Sequence, residues 1–130
     1  MNPLATRDSF YFRPAMQPQD AISTKKLAVI GSGSWATALA KILSDNGHHI
    51  HWYVRNPHIG EHLLRYRHNP SYLSSARFHS ERLRLYYEPA EAIAAADVII
   101  LSIPSAYVEE VLDVLPRNVF AGKKVVSAIK

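Results

Sequence analysis

Two glycines separated by a single serine constrain this chain more than any other feature. Leu27-Ala28-Val29-Ile30 is an apolar run that breaks into Gly31-Ser32-Gly33 and resumes as Ser34-Trp35-Ala36, followed by Thr37-Ala38-Leu39-Ala40-Lys41-Ile42-Leu43 with apolar residues at helical spacing. The pattern predicts strand, tight turn and helix, with the helix stopping at Asn46-Gly47. A helix entered from such a turn aims unpaired N–H groups and the positive end of its dipole at the loop. A pyrophosphate needs both, and needs backbone it can approach without meeting a Cβ. Gly31 supplies the turn, Gly33 the close approach, and Ala36 the third small residue that packs helix on strand. The loop from Gly31 through Ser32, Gly33, Ser34 and Trp35 to Ala36 therefore reads as a dinucleotide-binding element, with a plain glycine-rich turn as the alternative.

The rest of the chain supplies the context that this loop requires. Ile50 to Val54 is rich in strand formers and closes a βαβ unit of about 30 residues. Pro57 opens a short helix through Tyr66, and Asn69 to Ser80 forms a long excursion before a brief strand at Leu83-Arg84-Leu85-Tyr86. Glu88 to Ala96 is an alanine-rich helix, and Val98-Ile99-Ile100-Leu101 suits a central parallel strand covered on both faces. A helix over Ala106 to Leu115, with one buried face, and a strand over Lys123 to Ile129 complete the alternation. The fold class expected is α/β, a Rossmann-type doubly wound parallel sheet spanning 25–130. Met1 to Thr24, with Pro3, Pro14 and Pro18 and no period, reads as an irregular leader.

Composition narrows the function classes. The absence of cysteine removes disulfides, thiol catalysis and thiolate-bound zinc. No apolar run is long enough to span a bilayer and no secretory core is present, so a cytoplasmic protein without an integral membrane segment is expected. The net charge of +4 is scattered among apolar positions. An anionic small-molecule ligand explains it as well as nucleic acid does, and no nucleic-acid partner is expected.

The second strand ends in Val54-Arg55-Asn56, whereas an NAD-preferring site places Asp or Glu about 20 residues after the glycines. A guanidinium there suits the 2′-phosphate of NADP through charge-assisted hydrogen bonds, so NAD(P) is the expected cofactor with NADP(H) favoured. A solvated arginine is the bland alternative. Pro104 and Ser105 follow the fourth strand where the reactive end of a dinucleotide lies, and Ser105 also reads as a cap of the next helix. His48, His49 and His51 are simpler as turn and strand-face histidines than as metal ligands, and no metal is expected.

These elements occur in order with Asn46-Gly47-His48, Trp52, Asn69-Pro70-Ser71-Tyr72-Leu73, Ile103-Pro104-Ser105 and Ser127-Ala128-Ile129-Lys130. Together they resemble the N-terminal domain of NAD(P)-dependent glycerol-3-phosphate dehydrogenase. Gly31 to Ala38 is similar to the family's G-x-G-x-W-[GA]-[TS]-A loop, and Asn69 to Leu73 to its N-x-x-Y-L element. The resemblance implies reduction of dihydroxyacetone phosphate, a phosphorylated triose, to sn-glycerol 3-phosphate for phospholipid synthesis. It implies that Lys130 falls on the lysine of the S-x-x-K-G element, a catalytic and cofactor-side position where an ammonium stabilises a developing alkoxide. It also implies a C-terminal helical domain, so the chain reads as a fragment truncated before that domain and inactive by itself, with the full-length enzyme expected as a homodimer. Ser74-Ser75 stand where the family commonly has Pro-Gly, and Ala106 where it has Gln or His. A ketopantoate-reductase-like NADP-binding domain and a non-catalytic dinucleotide-sensing module are the competing readings.

Overall fold

The computed structural model describes residues 25–129, so the expected leader over 1–24 and Lys130 lie outside the described residues. Strands β1 (Leu27–Ile30), β2 (Ile50–Tyr53), β3 (Leu83–Tyr86), β4 (Val98–Leu101) and β5 (Lys124–Ser127) form one sheet. Helices α1 (Ser34–Asp45), α2 (Pro57–Tyr66), α3 (Pro89–Ala94) and α4 (Val108–Asp113) lie between them. The strand order is β3-β2-β1-β4-β5 and every pairing is parallel. This is the doubly wound sheet expected, with its order reversing between β1 and β4.

Alternation along β1 sends its side chains into two cores. Leu27 and Val29 join Ile50, Trp52 and Val54 against Ala36 and Ala40 of α1 and Leu63 of α2, with Phe78 closing this layer. Ala28 and Ile30 join Ile99 and Leu101 against Ala92 and Ile93 of α3 on the other face. Fully buried aliphatic side chains such as Ile30, Leu63 and Ile93 each contribute about 1.5–3 kcal/mol by leaving water. Local signals set the element ends. The Asn56 side chain accepts the N–H of His58 and Pro57 takes the first turn of α2, which stops where Arg67 turns left-handed at φ 65°. Helix α1 stops at Asn46, and Gly47 follows at φ 93°.

The β4–β5 side departs from the expected pattern. In β4, Ile99 and Leu101 are buried but Val98 and Ile100 only partly, because α1 and α2 cover β1 and β2 on that face. All four residues of β5 are exposed. The helix predicted over Ala106 to Leu115 begins as a 3-10 turn at Ser105–Tyr107, continues as α4 and buries no residue fully. Val108, Val111 and Leu115 rest against the second core while Val114 is 70% exposed. Among the described residues no helix is long and apolar enough to cross a membrane.

Candidate functional site

A crevice of about 520 Å³ opens outside the carboxyl ends of the strands, where the strand order reverses. Gly31, Ser32 and Gly33 form its floor after β1, and Arg55 and Asn56 follow β2. Pro104 follows β4, while Tyr107, Glu110, Val111 and Val114 make the wall along α4, from the 3-10 turn before it to the residue that caps its end. A smaller recess of about 150 Å³ adjoins it at Gly33 and Pro104 and is lined also by Ser34, Trp35, Ala36 and Ser102. The predicted loop residues and Arg55 thus come together around one space. Ser105 lines neither cavity and makes no helix-capping hydrogen bond, and Lys130 lies outside the described residues.

The two glycines have different physical reasons to be glycine. At Gly31 the backbone has φ 130°, and a Cβ would stand 2.2 Å from the carbonyl oxygen of Ser102. The β1 turn packs directly on the backbone after β4, so Gly31 serves the fold. At Gly33 φ is −77° and a Cβ would meet nothing within 4 Å. No packing demand keeps that position bare, and the space beside it is the crevice. Gly33 is also the N-cap of α1 and offers no side-chain cap, nor does the first turn carry an acidic residue. The helix therefore presents its N-terminal N–H groups and dipole to the loop without a competing anion of its own. Ala36, fully buried in the first core, fills the helix-on-strand position expected of it.

Three buried side chains hold this loop in place. The Trp52 indole N–H donates to the Gly31 carbonyl at 2.6 Å. The Thr37 hydroxyl donates to the Gly33 carbonyl at 2.7 Å and accepts from the Asn69 amide at 3.1 Å. Asn69, with no exposed surface, also donates to the Ser32 carbonyl at 3.5 Å, and its Oδ1 accepts from the N–H groups of Ser71 and Tyr72. All four hydrogen-bonding positions of the amide are used. The excursion after α2 is thereby bolted to the glycine loop, and Tyr72 is brought to the crevice lining. Ser74-Ser75 lie in a turn closed by the Ala76 N–H on the Leu73 carbonyl at 2.9 Å, with Leu73 at φ 52°.

Arg55 lies at the rim. Its guanidinium carbon is 5.4 Å from the ring centre of Tyr107, and its Nη2 is 3.4 Å from Glu110 Oε2. Both side chains of the ion pair are about two-thirds exposed. Burial raises the pKa of the Tyr53 hydroxyl above its ordinary value, and burial likewise raises that of Tyr87; both residues line the crevice. Ser102 Oγ is buried without a hydrogen-bond partner among the described residues and borders the smaller recess. Away from the site, His51 Nδ1 is 2.8 Å from the Tyr86 hydroxyl, with the imidazole held below its ordinary value first by burial and then by Lys26 and Arg84.

Sequence reasoning did not single out Tyr107, Glu110, Val111 and Val114 as a wall of the site. Their spacing places them on one helical face, which borders the crevice, with Val111 at its boundary with the second core. Asn69 and Tyr72 entered only through a motif, and nothing in the sequence alone points to their buried network.

The family described as NAD-dependent glycerol-3-phosphate dehydrogenase N-terminus matches residues 26–130. The glycerol-3-phosphate dehydrogenase (NAD(P)+) of Nitratidesulfovibrio vulgaris strain DP4 is 38% identical over 105 residues, covering 81% of this chain and 32% of that protein. Among solved structures, glycerol-3-phosphate dehydrogenase from Coxiella burnetii superposes with a TM-score of 0.68 at 23% identity, covering 82% of this chain and 32% of that one. The enzyme of the same name from Saccharomyces cerevisiae gives 0.72 at 22% identity, covering 82% and 33%. These two structures share the fold. The chain spans about a third of the length of the relatives it matches.

Proposed function

The chain belongs to the family of NAD-dependent glycerol-3-phosphate dehydrogenase N-termini, and from that premise we propose that its crevice holds an NAD(P) cofactor for the reduction of dihydroxyacetone phosphate to sn-glycerol 3-phosphate. The observation that carries the reading is Gly33. It is a glycine that the fold does not need, at the uncapped start of a twelve-residue helix, beside the crevice where the strand order reverses. That is the arrangement a pyrophosphate requires.

Each residue has a physical task in this reading. The α1 terminus and the backbone of Ser32 to Ala36 receive the pyrophosphate. Arg55 takes the 2′-phosphate of NADP(H), a charge-assisted contact of about 1.5–3 kcal/mol that favours it over NAD(H). Pro104 stiffens the turn after β4, beside the buried Ser102 hydroxyl. Bound nicotinamide supplies the hydride. Lys130, by the family resemblance, orients the substrate carbonyl and stabilises the alkoxide oxygen as it forms. The substrate must be held within roughly 3–3.5 Å of the hydride donor, which one lysine cannot impose, so the substrate-phosphate clamp is assigned to sequence beyond this chain. The glycerol 3-phosphate formed would feed phospholipid synthesis.

Following NADPH oxidation by the full-length protein at saturating dihydroxyacetone phosphate tests the reading. Turnover is expected, with NADPH preferred to NADH and activity lost in Lys130→Met. A fully active Lys130→Met protein, or equal affinities for the two cofactors, would overturn those assignments.

A further inference from the structure

Arg55 is not a free cation waiting for a phosphate. Its guanidinium lies over Tyr107 and pairs with Glu110 at 3.4 Å, and all three residues line the larger crevice. Tyr107 and Glu110 are three residues apart, so the start of α4 presents both toward the end of β2. The carboxylate that an NAD site ordinarily carries after its second strand is absent here, where Val54-Arg55-Asn56 stand instead. A carboxylate nevertheless reaches the same neighbourhood from the opposite wall.

We propose that Glu110 is a second specificity-determining residue of the crevice: it accepts hydrogen bonds from the ribose hydroxyls of an unphosphorylated dinucleotide and opposes the 2′-phosphate that Arg55 attracts. The inference rests on the reading of the crevice as a dinucleotide site. Two effects act in the same direction. A phosphate competes with the carboxylate for the guanidinium N–H groups, and its own negative charge then lies close to that carboxylate. With an unphosphorylated ribose neither cost arises, and the carboxylate supplies an acceptor for a hydroxyl. The pair is exposed, so each effect is screened and the residue tempers the preference for NADP(H) instead of reversing it. Glu110 and Arg55 together produce a site that accepts both cofactors.

The test is calorimetric titration of NADPH and NADH into the full-length protein carrying Glu110→Gln, Arg55→Gln, both, or neither, with Glu109→Gln as a like-charge control on the same helix. Glu110→Gln is expected to raise the NADPH to NADH affinity ratio about three- to fivefold, by tightening NADPH and weakening NADH. Arg55→Gln is expected to collapse the ratio, and Glu109→Gln to leave it unchanged. A Glu110→Gln ratio equal to wild type, with Arg55→Gln still collapsing it, would overturn this inference alone. An equal rise in Glu109→Gln would also overturn it, because the effect would then be the general field of the helix. If Arg55→Gln leaves the ratio unchanged, the assignment of Arg55 falls and this inference with it. Glu110 is exposed, so its replacement leaves the fold intact to be measured.

Discussion

The glycine-loop side of the crevice and the α4 side are built to different standards. On the first, Ala36, Thr37, Ala40, Trp52 and Asn69 have no exposed surface, and the loop carbonyls of Gly31, Ser32 and Gly33 are each held by a side-chain donor. On the second, α4 buries no residue fully, β5 is exposed along its length, and Arg55 reaches this wall through an exposed ion pair to Glu110 and a stack on Tyr107. The difference teaches a division of labour. The glycine-loop end of the crevice, the proposed place of the pyrophosphate, is preorganised by packing, which leaves little to reorganise on binding. The wall to which we assign cofactor discrimination is lightly held, so its side chains can change with little effect on the fold.

The largest expected effect is at the tightest contact. Gly31→Ala places a Cβ 2.2 Å from a backbone oxygen at a φ of 130°, and chemical denaturation should find about 2–5 kcal/mol of stability lost. A variant as stable as wild type would remove the packing argument for this half of the site. Next comes Asn69→Ala, which removes the acceptor of the Ser71 and Tyr72 N–H groups and the donor to both the Ser32 carbonyl and the buried Thr37 hydroxyl. A loss of about 1–3 kcal/mol in the same measurement is expected. Asn69→Asp keeps the acceptor but sets a buried carboxylate against the Ser32 carbonyl, and should lose at least as much as Asn69→Ala. By contrast Val111→Ala on α4 should cost about 1 kcal/mol or less. If it costs as much as Asn69→Ala, the two walls are equally firm and the comparison fails.

The smallest effect is one of pH. Burial lowers the folded-state pKa of His51 below 6.5, so its neutral form is favoured in the folded protein. Its contribution is fully present above pH 6.5 and is lost as pH falls from there through the folded value, because the unfolded chain then binds the proton first. Thermal melts between pH 7.5 and about 5 should show a shallower acid decline in His51→Gln than in wild type. An identical slope would show that this imidazole is not coupled to folding.

The firm half was legible in the sequence and the light half only in part, for a physical reason. Glycine spacing, the β-branched run of β1 and the Asn56-Pro57 start of α2 are local signals whose structural outcome depends on few distant contacts. The strand Leu83–Tyr86 is likewise legible in its own short run Leu83-Arg84-Leu85-Tyr86, and its pairing with Ile50–Tyr53 appears only in the fold. The face of α4 is legible only in part: Val108, Val111 and Leu115 rest against the second core as the apolar spacing indicates, but Val111 and Val114 also border a cavity, and periodicity cannot distinguish a core from a ligand's place. Asn69 looked like a loop polar residue, since its burial depends on Thr37 and Ser32, more than 30 positions earlier. The Arg55–Glu110 pair spans 55 positions and leaves no trace in local pattern.

The central claim is that the space beside Gly33 is kept for a dinucleotide, and one pair of measurements on Gly33→Val addresses it. A Cβ at this ordinary φ meets nothing within 4 Å beyond its chain neighbours, so thermal unfolding should show a loss of no more than about 1 kcal/mol, the cost of a poor N-cap. Titration of NADPH into the same sample should then give no binding heat where wild type binds. A variant that folds and binds NADPH as tightly as wild type would contradict the claim, and place the cofactor somewhere other than this loop.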